Sequence, residues 1–216
     1  MEKASAKTFL LYALGFPDAV DIVSRQLSLN KREKIALSKL IRDPSESMAN
    51  ALKRSPLVCI RDRDLGIDGF NVLITIESAL NGNDVYLCSD GFVRDISLAY
   101  SSYSPTNKFE EAVNLLGELI EENKPLSTKI YLDSPIPKSG QIASSIRELL
   151  GDIAEVKTSK HVDKDLLRHE VIATSDTVVI GKAPCVVDMP FYALRKVGIF
   201  PKLLFPLRGP IDRVLQ

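Results

Sequence analysis

The sequence contains no tryptophan, two histidines and three cysteines, and these shortages exclude several classes of protein. Cys59, Cys88 and Cys185 are far apart and odd in number, so a disulfide framework is not expected. No CxxC pair is present and His161 and His169 are the only imidazoles, so a structural zinc site is not expected either. A reduced, intracellular protein is therefore predicted.

The chain also lacks net charge and long apolar runs. Lys plus Arg and Asp plus Glu both number 28, so the overall charge indicates neither a nucleic-acid nor a membrane partner. No apolar run approaches the roughly 20 residues that span a bilayer. The N-terminal residues 1–16 have no small-residue cleavage site typical of a signal peptide. We expect a cytoplasmic protein with no membrane partner.

The remaining pattern predicts an α/β domain after a small helical region. Residues 1–54 are predicted to be helical, and Asn30 followed by Glu33 is typical of a capping box. In residues 55–216 short apolar runs alternate with helical segments, which predicts a mostly parallel sheet with right-handed crossovers. The predicted strands are 57–62, 65–68, 84–90, 129–134, 154–159, 170–176 and, as a further candidate, 202–207, and the predicted helices are 71–80, 108–123, 139–151 and 190–198.

Four predicted strands end in the same way, with an apolar run, an aspartate and a small residue. These aspartates are Asp68, Asp90, Asp133 and Asp176. The carboxyl ends of parallel strands share one edge of a sheet, so Asp68, Asp133 and Asp176 are expected to converge. Gathered carboxylates repel one another unless a cation is present, and oxygen-only sites suit Mg²⁺ or Mn²⁺. The predicted chemistry is metal-assisted attack of water on a phosphodiester.

Each aspartate taken alone has a simpler interpretation as a helix cap or a turn residue. Asp90 in particular belongs to a nearly ideal Asp-Gly hairpin, in which alternating residues lie on either side of the turn. If Asp90 is only a turn residue, Asp95 at the end of the second hairpin strand competes for the same role. The recurrence of the pattern therefore carries more weight than any single aspartate.

Two stretches resemble the PIN-like nuclease superfamily and its NYN branch: "IDGFNVL" at 67–73 resembles the opening motif, and "ATSDTVVI" at 173–180 resembles the late strand motif. The whole chain is also similar to an uncharacterised, largely archaeal family with a short helical N-terminal region of unknown function before a PIN-like domain. The resemblance implies a three-layer, Rossmann-like domain whose strand-end acids bind Mg²⁺ or Mn²⁺ and cleave RNA. It also implies pairing into a homodimer, since PIN-like domains often pair.

By motif, the resemblance implies that Asp68 is the first metal-binding aspartate, Asn71 the asparagine of the opening motif and Asp176 the aspartate of the late motif. Asp133 matches by its position at a strand end. Glu77, nine residues after Asp68, is a candidate for the second acid.

The chain departs from the superfamily's pattern in an insertion at 85–107, "VYLCSDGFVRDISLAYSSYSPTN". This insertion leaves the second acid open between Glu77, Asp90 and Asp95.

A nuclease also needs polar and cationic side chains that hold the RNA backbone. The expected substrate-binding residues are Asn71, Ser134, Thr174, Ser175, Arg94 and Lys138. For Arg94 and Lys138 a solvated surface charge is the competing interpretation, and for Ser134 it is a turn before a helix cap. His161 and His169 are expected at the surface.

Two other functions compete with the ribonuclease. A non-catalytic module that binds nucleic acid or protein would keep the fold and lose the chemistry. A phosphatase with an aspartyl nucleophile at Asp62 would use the DxD spacing of "RDRDLG", although the usual following Thr or Val is missing.

Overall fold

Two sheets organise the chain, which the computed structural model describes over residues 1–96 and 103–203. The helices are α1 Glu2–Ala13, α2 Ala19–Gln26, α3 Lys31–Leu40, α4 Pro44–Ala51, α5 Gly69–Leu80, α6 Phe109–Asn123, α7 Ser139–Leu150, α8 Val162–Leu166, α9 Thr177–Lys182 and α10 Met189–Lys196. The strands are β1 Arg54–Ser55, β2 Asp64–Asp68, β3 Val85–Leu87, β4 Val93–Asp95, β5 Ser127–Asp133, β6 Glu155–Ser159, β7 Val171–Ala173, β8 Val186–Val187 and β9 Lys202–Leu203.

The main sheet has six strands in the order β1-β8-β7-β2-β5-β6, and every neighbouring pair is parallel. Its central strands are buried on both faces, because alternate residues enter different apolar clusters. Ile130 and Leu132 pack with α5, α6 and α7, whereas Tyr131 between them packs with α8 and α9. The predicted α/β class with a parallel sheet is confirmed, and the arrangement is consistent with a Rossmann-like fold.

Helices α1–α3 pack against a hairpin rather than against the main sheet, whereas α4 contacts the hairpin turn, through Ser47 and Ser89, and also helix α9. α3 begins with the predicted capping box, since Asn30 accepts from the amide of Glu33 and Glu33 accepts from the amide of Asn30. Leu37 and Leu40 of α3 share an apolar cluster with Tyr86 and Cys88 of the antiparallel hairpin β3–β4. The N-terminal helices are therefore held beside the strand ends, while the boundary at residue 54 stays a prediction.

Some predicted elements differ from the observed ones. The predicted strand at 57–62 is wrong, because Leu57–Ile60 forms a turn of 3-10 helix in which the Cys59 amide donates to the carbonyl of Pro56. The short helices α8 and α9 follow strands directly and were not predicted. Only Lys202–Leu203 of the further candidate strand can be compared, since residues 204–207 lie outside the described part of the chain. Across 1–96 and 103–203, no helix has the length and apolarity needed to cross a bilayer.

The expectation of a surface position is wrong for His169, which is 5% exposed, whereas His161 is exposed as expected. Nε2 of His169 lies 2.9 Å from the Tyr131 hydroxyl, and Nδ1 lies 2.6 Å from the Asp64 carboxylate. The ring covers Gly66 so closely that a Cβ there would lie 2.5 Å from Cδ2 of His169. A glycine is needed in the middle of β2 because the imidazole occupies the space of a side chain.

We expect Gly66→Ala to lower the free energy of unfolding by about 1–3 kcal/mol, the usual cost of overpacking a core. The measurement is urea denaturation in the wild-type and His169→Ala backgrounds. Removal of the imidazole frees the space, so the same substitution should cost close to nothing in the second background. An equal cost in both backgrounds would show that the imidazole is not the obstacle.

Candidate active site

The Asp-Gly pair at positions 68 and 69 lies where β2 ends and α5 begins. Asp68 is the N-cap of α5 and accepts hydrogen bonds from the Asn71 amide at 3.3 Å and from Oγ1 of Thr174 at 3.0 Å. Gly69 is required by space, because a Cβ there would lie 2.9 Å from the carbonyl oxygen of Tyr131 on β5. Its φ is not positive, so the pair is not the tight turn that the sequence also allowed.

Three of the predicted aspartates act on one another electrostatically at the carboxyl edge of the main sheet. Burial raises the pKa of Asp68 to about 7, and repulsion from Asp133 and Asp176 adds to this rise. The hydrogen bonds from Asn71 and Thr174 act in the opposite direction and lower the pKa. Asp68, Asp133 and Asp176 therefore lie within electrostatic range at this edge, and their action as one site stays a prediction.

Asp176 also caps a helix. Its Oδ1 accepts from the amides of Val178 at 2.8 Å and Val179 at 3.2 Å, which places the residue at the start of α9. The side chain is exposed, in contrast to the buried Asp68. For both aspartates the simple helix-cap interpretation is correct, and it does not compete with the cluster, because the cap fixes the carboxylate at the sheet edge.

The structure adds a fourth carboxylate, Asp163, which sequence reasoning missed. Its pKa is raised by burial and then by Asp176 and Asp133, whereas Lys182 lowers it. Asp163 lies on the one-turn helix α8, between β6 and β7. The segment "HVDKDLL" has no apolar strand before its aspartate, so the strand-end pattern could not identify it. Identifying Asp163 requires knowing that the short acidic helix α8 packs beside the carboxyl edge of the main sheet.

Three predicted substrate-binding residues position the aspartates and their elements. The hydroxyl of buried Thr174 donates to Asp68 and accepts from the amide of Asp176 at 3.0 Å. Oδ1 of Asn71 accepts from both the amide and the hydroxyl of Ser175 at 2.8 Å. These bonds tie the first turn of α5 to the segment after β7, so the relative position of the two aspartates is fixed by neutral side chains.

Glu77 does not join the cluster. It is 2% exposed and accepts hydrogen bonds from the Tyr103 hydroxyl and the Thr106 amide. Nine residues of helix at 1.5 Å per residue place it about 13 Å along the α5 axis from Asp68. Burial and the Glu77 carboxylate raise the pKa of Tyr103, which keeps the phenol a donor. Glu77 anchors the segment after the hairpin, and its candidacy as a second acid is corrected.

Asp90 and Arg94 form a buried ion pair with each other. The sequence predicts a candidate metal ligand at Asp90 and an RNA-binding or solvated surface cation at Arg94. Both residues are at most 5% exposed, and the guanidinium bonds both carboxylate oxygens at 2.6 and 2.7 Å. Burial acts to raise the pKa of Asp90, but the hydrogen bonds and charge of Arg94 hold it below its ordinary value. Nε of Arg94 donates to the carbonyl of Ser175 at 2.9 Å, so the pair holds the predicted Asp-Gly hairpin on the main sheet.

Asp95, the third candidate for the second acid, is buried and accepts from the Ser78 hydroxyl at 3.2 Å. It lines a cavity of about 140 Å³ together with Asn71 and Asp176. Of the three candidates left open by the sequence, Asp95 is therefore the one that shares a surface with the aspartate cluster.

Ser134 and Lys138 belong to a loop that is closed by its own hydrogen bonds. The amide of Ser134 donates to the carbonyl of Ser159 at 2.8 Å, and its carbonyl accepts from the Ser139 hydroxyl at 3.2 Å. Lys138 is exposed and has a φ of 62° immediately before α7. The turn interpretation therefore accounts for Ser134 and the surface-charge interpretation for Lys138, and no side chain caps the start of α7.

The donor set of the cluster fits a hard divalent cation in its chemistry, because Asp68, Asp133, Asp163 and Asp176 supply only oxygen ligands. Among residues 1–96 and 103–203, however, no three His, Cys, Asp or Glu side chains stand close enough together to hold a metal ion directly. An ion shared by these carboxylates would therefore keep part of its water shell, as Mg²⁺ usually does.

Comparison with known proteins places the chain in a family. A family model described as "Domain of unknown function (DUF5616)" matches residues 58–192. The chain belongs to the DUF5616 family. It is similar to Uncharacterized protein MJ0935 of Methanocaldococcus jannaschii, with 32% identity over 185 residues that cover 83% of this chain and 88% of the relative. No solved structure matches the chain. The DUF5616 segment contains all four clustered aspartates and excludes helices α1–α4.

Proposed function

We propose that this DUF5616 protein is a Mg²⁺- or Mn²⁺-dependent ribonuclease with a PIN-like fold. The observation that carries the proposal is the position of Asp68, Asp133 and Asp176 at the carboxyl ends of the neighbouring strands β2, β5 and β7, where Thr174 bonds both the Asp68 carboxylate and the Asp176 amide. Carboxylates that raise one another's pKa are stabilised by a nearby cation. The proposal includes a cytoplasmic location, RNA as the partner and pairing into a homodimer, which the resemblance to PIN-like nucleases suggests.

In this proposal Asp68, Asp133, Asp163 and Asp176 hold the ion. A bound Mg²⁺ or Mn²⁺ supplies charge stabilisation on the phosphodiester and activation of a water molecule. Thr174 holds Asp68 through its hydroxyl and Asp176 through its backbone amide, and Asn71 holds the Ser175 segment in place. These three are positioning residues.

The test is cleavage of a labelled single-stranded RNA with added Mn²⁺. We expect Asp68→Asn and Asp176→Asn each to lower the rate at least about 100-fold, because the metal provides several kcal/mol of transition-state stabilisation. Asp152→Asn is the matched control, since Asp152 is exposed and lies outside the cluster. Cleavage that survives in both cluster variants, or that persists in EDTA, would contradict the proposal.

A non-catalytic RNA-binding module is the second candidate, and one observation favours it. Within the described residues no three potential ligands are spaced to hold a metal directly. This module would bind the same RNA in EDTA as well as in Mn²⁺, would not cleave it, and would depend weakly on Asp68. A phosphatase using Asp62 is not favoured, because Asp62 is an exposed turn residue before β2, at the sheet edge opposite the aspartates.

A further inference from the structure

Helix α9, which Asp176 caps, is bonded at its other end by a lysine from outside the DUF5616 segment. Nζ of Lys53, just after α4, donates to the carbonyl of Ile180 at 3.0 Å and also to the carbonyl of Gly181. Carbonyls in the last turn of a helix have no partner within the helix, and a cation there also interacts favourably with the helix dipole. Lys53 therefore holds the end of α9 that lies away from the aspartate cluster.

The segment before α9 is held by the hairpin. Nε of Arg94 donates to the carbonyl of Ser175 at 2.9 Å, and Asp90 binds the rest of the guanidinium through both carboxylate oxygens. Ser175 directly precedes Asp176, and its amide and hydroxyl donate to Oδ1 of Asn71. The short helix α9 is therefore held at both ends by side chains from other parts of the chain.

The hairpin turn is in its turn bonded to the N-terminal helices. The amide of Ser89 donates to the carbonyl of Leu40 at 2.9 Å, and the hydroxyl of Ser89 lies 2.9 Å from the hydroxyl of Ser47 on α4. Nδ2 of Asn50, also on α4 and 4% exposed, donates to Asp90 at 3.4 Å. Helix α4 and the residues after it therefore reach α9 by two routes, one direct and one through the hairpin.

The position of α9 sets where the Asp176 carboxylate lies relative to Asp68. The Thr174 hydroxyl joins the two residues, but it bonds Asp176 only through the backbone amide. The carboxylate of Asp176 is instead held by the amides of Val178 and Val179 in the first turn of α9. A displacement of α9 therefore moves this carboxylate and changes its spacing from Asp68.

We propose that Lys53 and Asn50 are positioning residues for the aspartate cluster, through which the N-terminal helices raise its affinity for a divalent cation. Lys53 acts through the end of α9, and Asn50 acts through Asp90, Arg94 and the Ser175 carbonyl. The inference rests on the proposed function, because it takes the cluster to be the metal site. Residues that orient metal ligands without touching the metal typically contribute about 10–100-fold to metal affinity.

The charge of Lys53 makes the direction of the effect informative. Gly181, which Lys53 contacts, lies five residues after Asp176, or about 8 Å along a helix axis. If the ammonium acted only through its charge, its removal would strengthen the binding of a cation at the carboxylates. Removal of a positioning contact weakens that binding instead, so the two roles predict opposite changes.

The test measures Mn²⁺ binding to the full chain without RNA, by electron paramagnetic resonance of the free ion. We expect Lys53→Gln to raise the dissociation constant about tenfold, the lower end of the effect of such residues. Lys53→Arg keeps a cation with several donors and should stay within about twofold of wild type. In RNA cleavage, Lys53→Gln should require about tenfold more Mn²⁺ for half of the maximal rate and should approach the wild-type rate at saturation.

Lys31→Gln is the matched control, since Lys31 is exposed on the N-terminal helix α3. Thermal melting confirms that each variant is folded at the temperature of the binding measurement. If Lys53→Gln does not fold, Asn50→Ala decides the question, and its longer contact predicts about a threefold weakening of Mn²⁺ binding.

Mn²⁺ binding as tight as in the control, or tighter, would overturn the positioning role, and cleavage that depends on Asp68 would still support the ribonuclease. Weaker Mn²⁺ binding in Lys53→Gln, in a protein that does not cleave RNA, would support the positioning role and contradict the ribonuclease. A wild-type protein that binds no Mn²⁺ would overturn both.

Discussion

In EDTA, Asp68→Asn is expected to stabilise the protein at pH 8 by up to about 4 kcal/mol and to leave its stability at pH 4 nearly unchanged. The wild-type carboxyl has its pKa raised from 3.8 to about 7, mainly by burial. Each pKa unit corresponds to about 1.4 kcal/mol, which sets the upper limit of the effect. Asn is a good N-cap, so its side-chain oxygen can accept the Asn71 amide in place of the carboxylate.

The direction follows from proton binding. Between pH 3.8 and about 7 the folded state keeps the Asp68 proton and the unfolded state has released it. Stability therefore falls as the pH rises through this window and becomes constant above it. The opposite slope, with stability gained toward pH 7, would require a lowered pKa at Asp68.

Urea denaturation of both proteins from pH 4 to pH 8 measures the effect as a difference between the two curves. The difference removes the contributions of other groups, including buried Asp188, whose pKa is also raised by burial. Asp152→Asn, at an exposed residue outside the cluster, is measured in parallel as the control for the substitution itself. A flat difference for Asp68→Asn would show that Asp68 is not kept protonated by its surroundings.

The sequence predicts the aspartate edge because the pattern is local and repeated. Asp68, Asp133 and Asp176 each follow an apolar strand, and parallel pairing of β2 with β5 and β7 brings the strand ends together. One-dimensional patterning therefore predicts the four strands β2, β5, β6 and β7 and three of the four acids, whereas the short edge strands β1 and β8 are not predicted. Asp163 does not follow an apolar strand, and its position depends instead on how the short helix α8 packs after β6.

The sequence does not indicate which polar residues are buried. Glu77, Asp90 and Arg94 have the composition of surface residues, and each is buried through a partner that is distant in sequence or across a turn. His169 is buried because Gly66 leaves room for its ring. The partners of these side chains are close to them only in the folded chain. A search of the sequence for acids at strand ends therefore assigns such residues to the site, although they form structural pairs.

Arg94→Gln is expected to lower the free energy of unfolding by about 3–5 kcal/mol, because it leaves the Asp90 carboxylate buried without its counter-charge. The substitution also removes the Nε bond to the Ser175 carbonyl, which holds the hairpin to the main sheet. Guanidinium chloride denaturation with an unchanged m-value would measure this loss. If Arg94 served only to hold RNA, its removal would leave the stability within about 0.5 kcal/mol of wild type, as for a surface site.

The double variant Asp90→Asn/Arg94→Gln separates the ion pair from the rest of the hairpin. It removes the buried charge together with its partner, so we expect it to regain a large part of the stability that Arg94→Gln loses. Lys138→Gln is the control for a cation on an exposed loop at the same edge, and its effect should be small. Additive losses in the double variant would mean that Asp90 and Arg94 stabilise the hairpin independently. Recovery would instead identify the pair as the structural link between the insertion and the segment that carries Asp176.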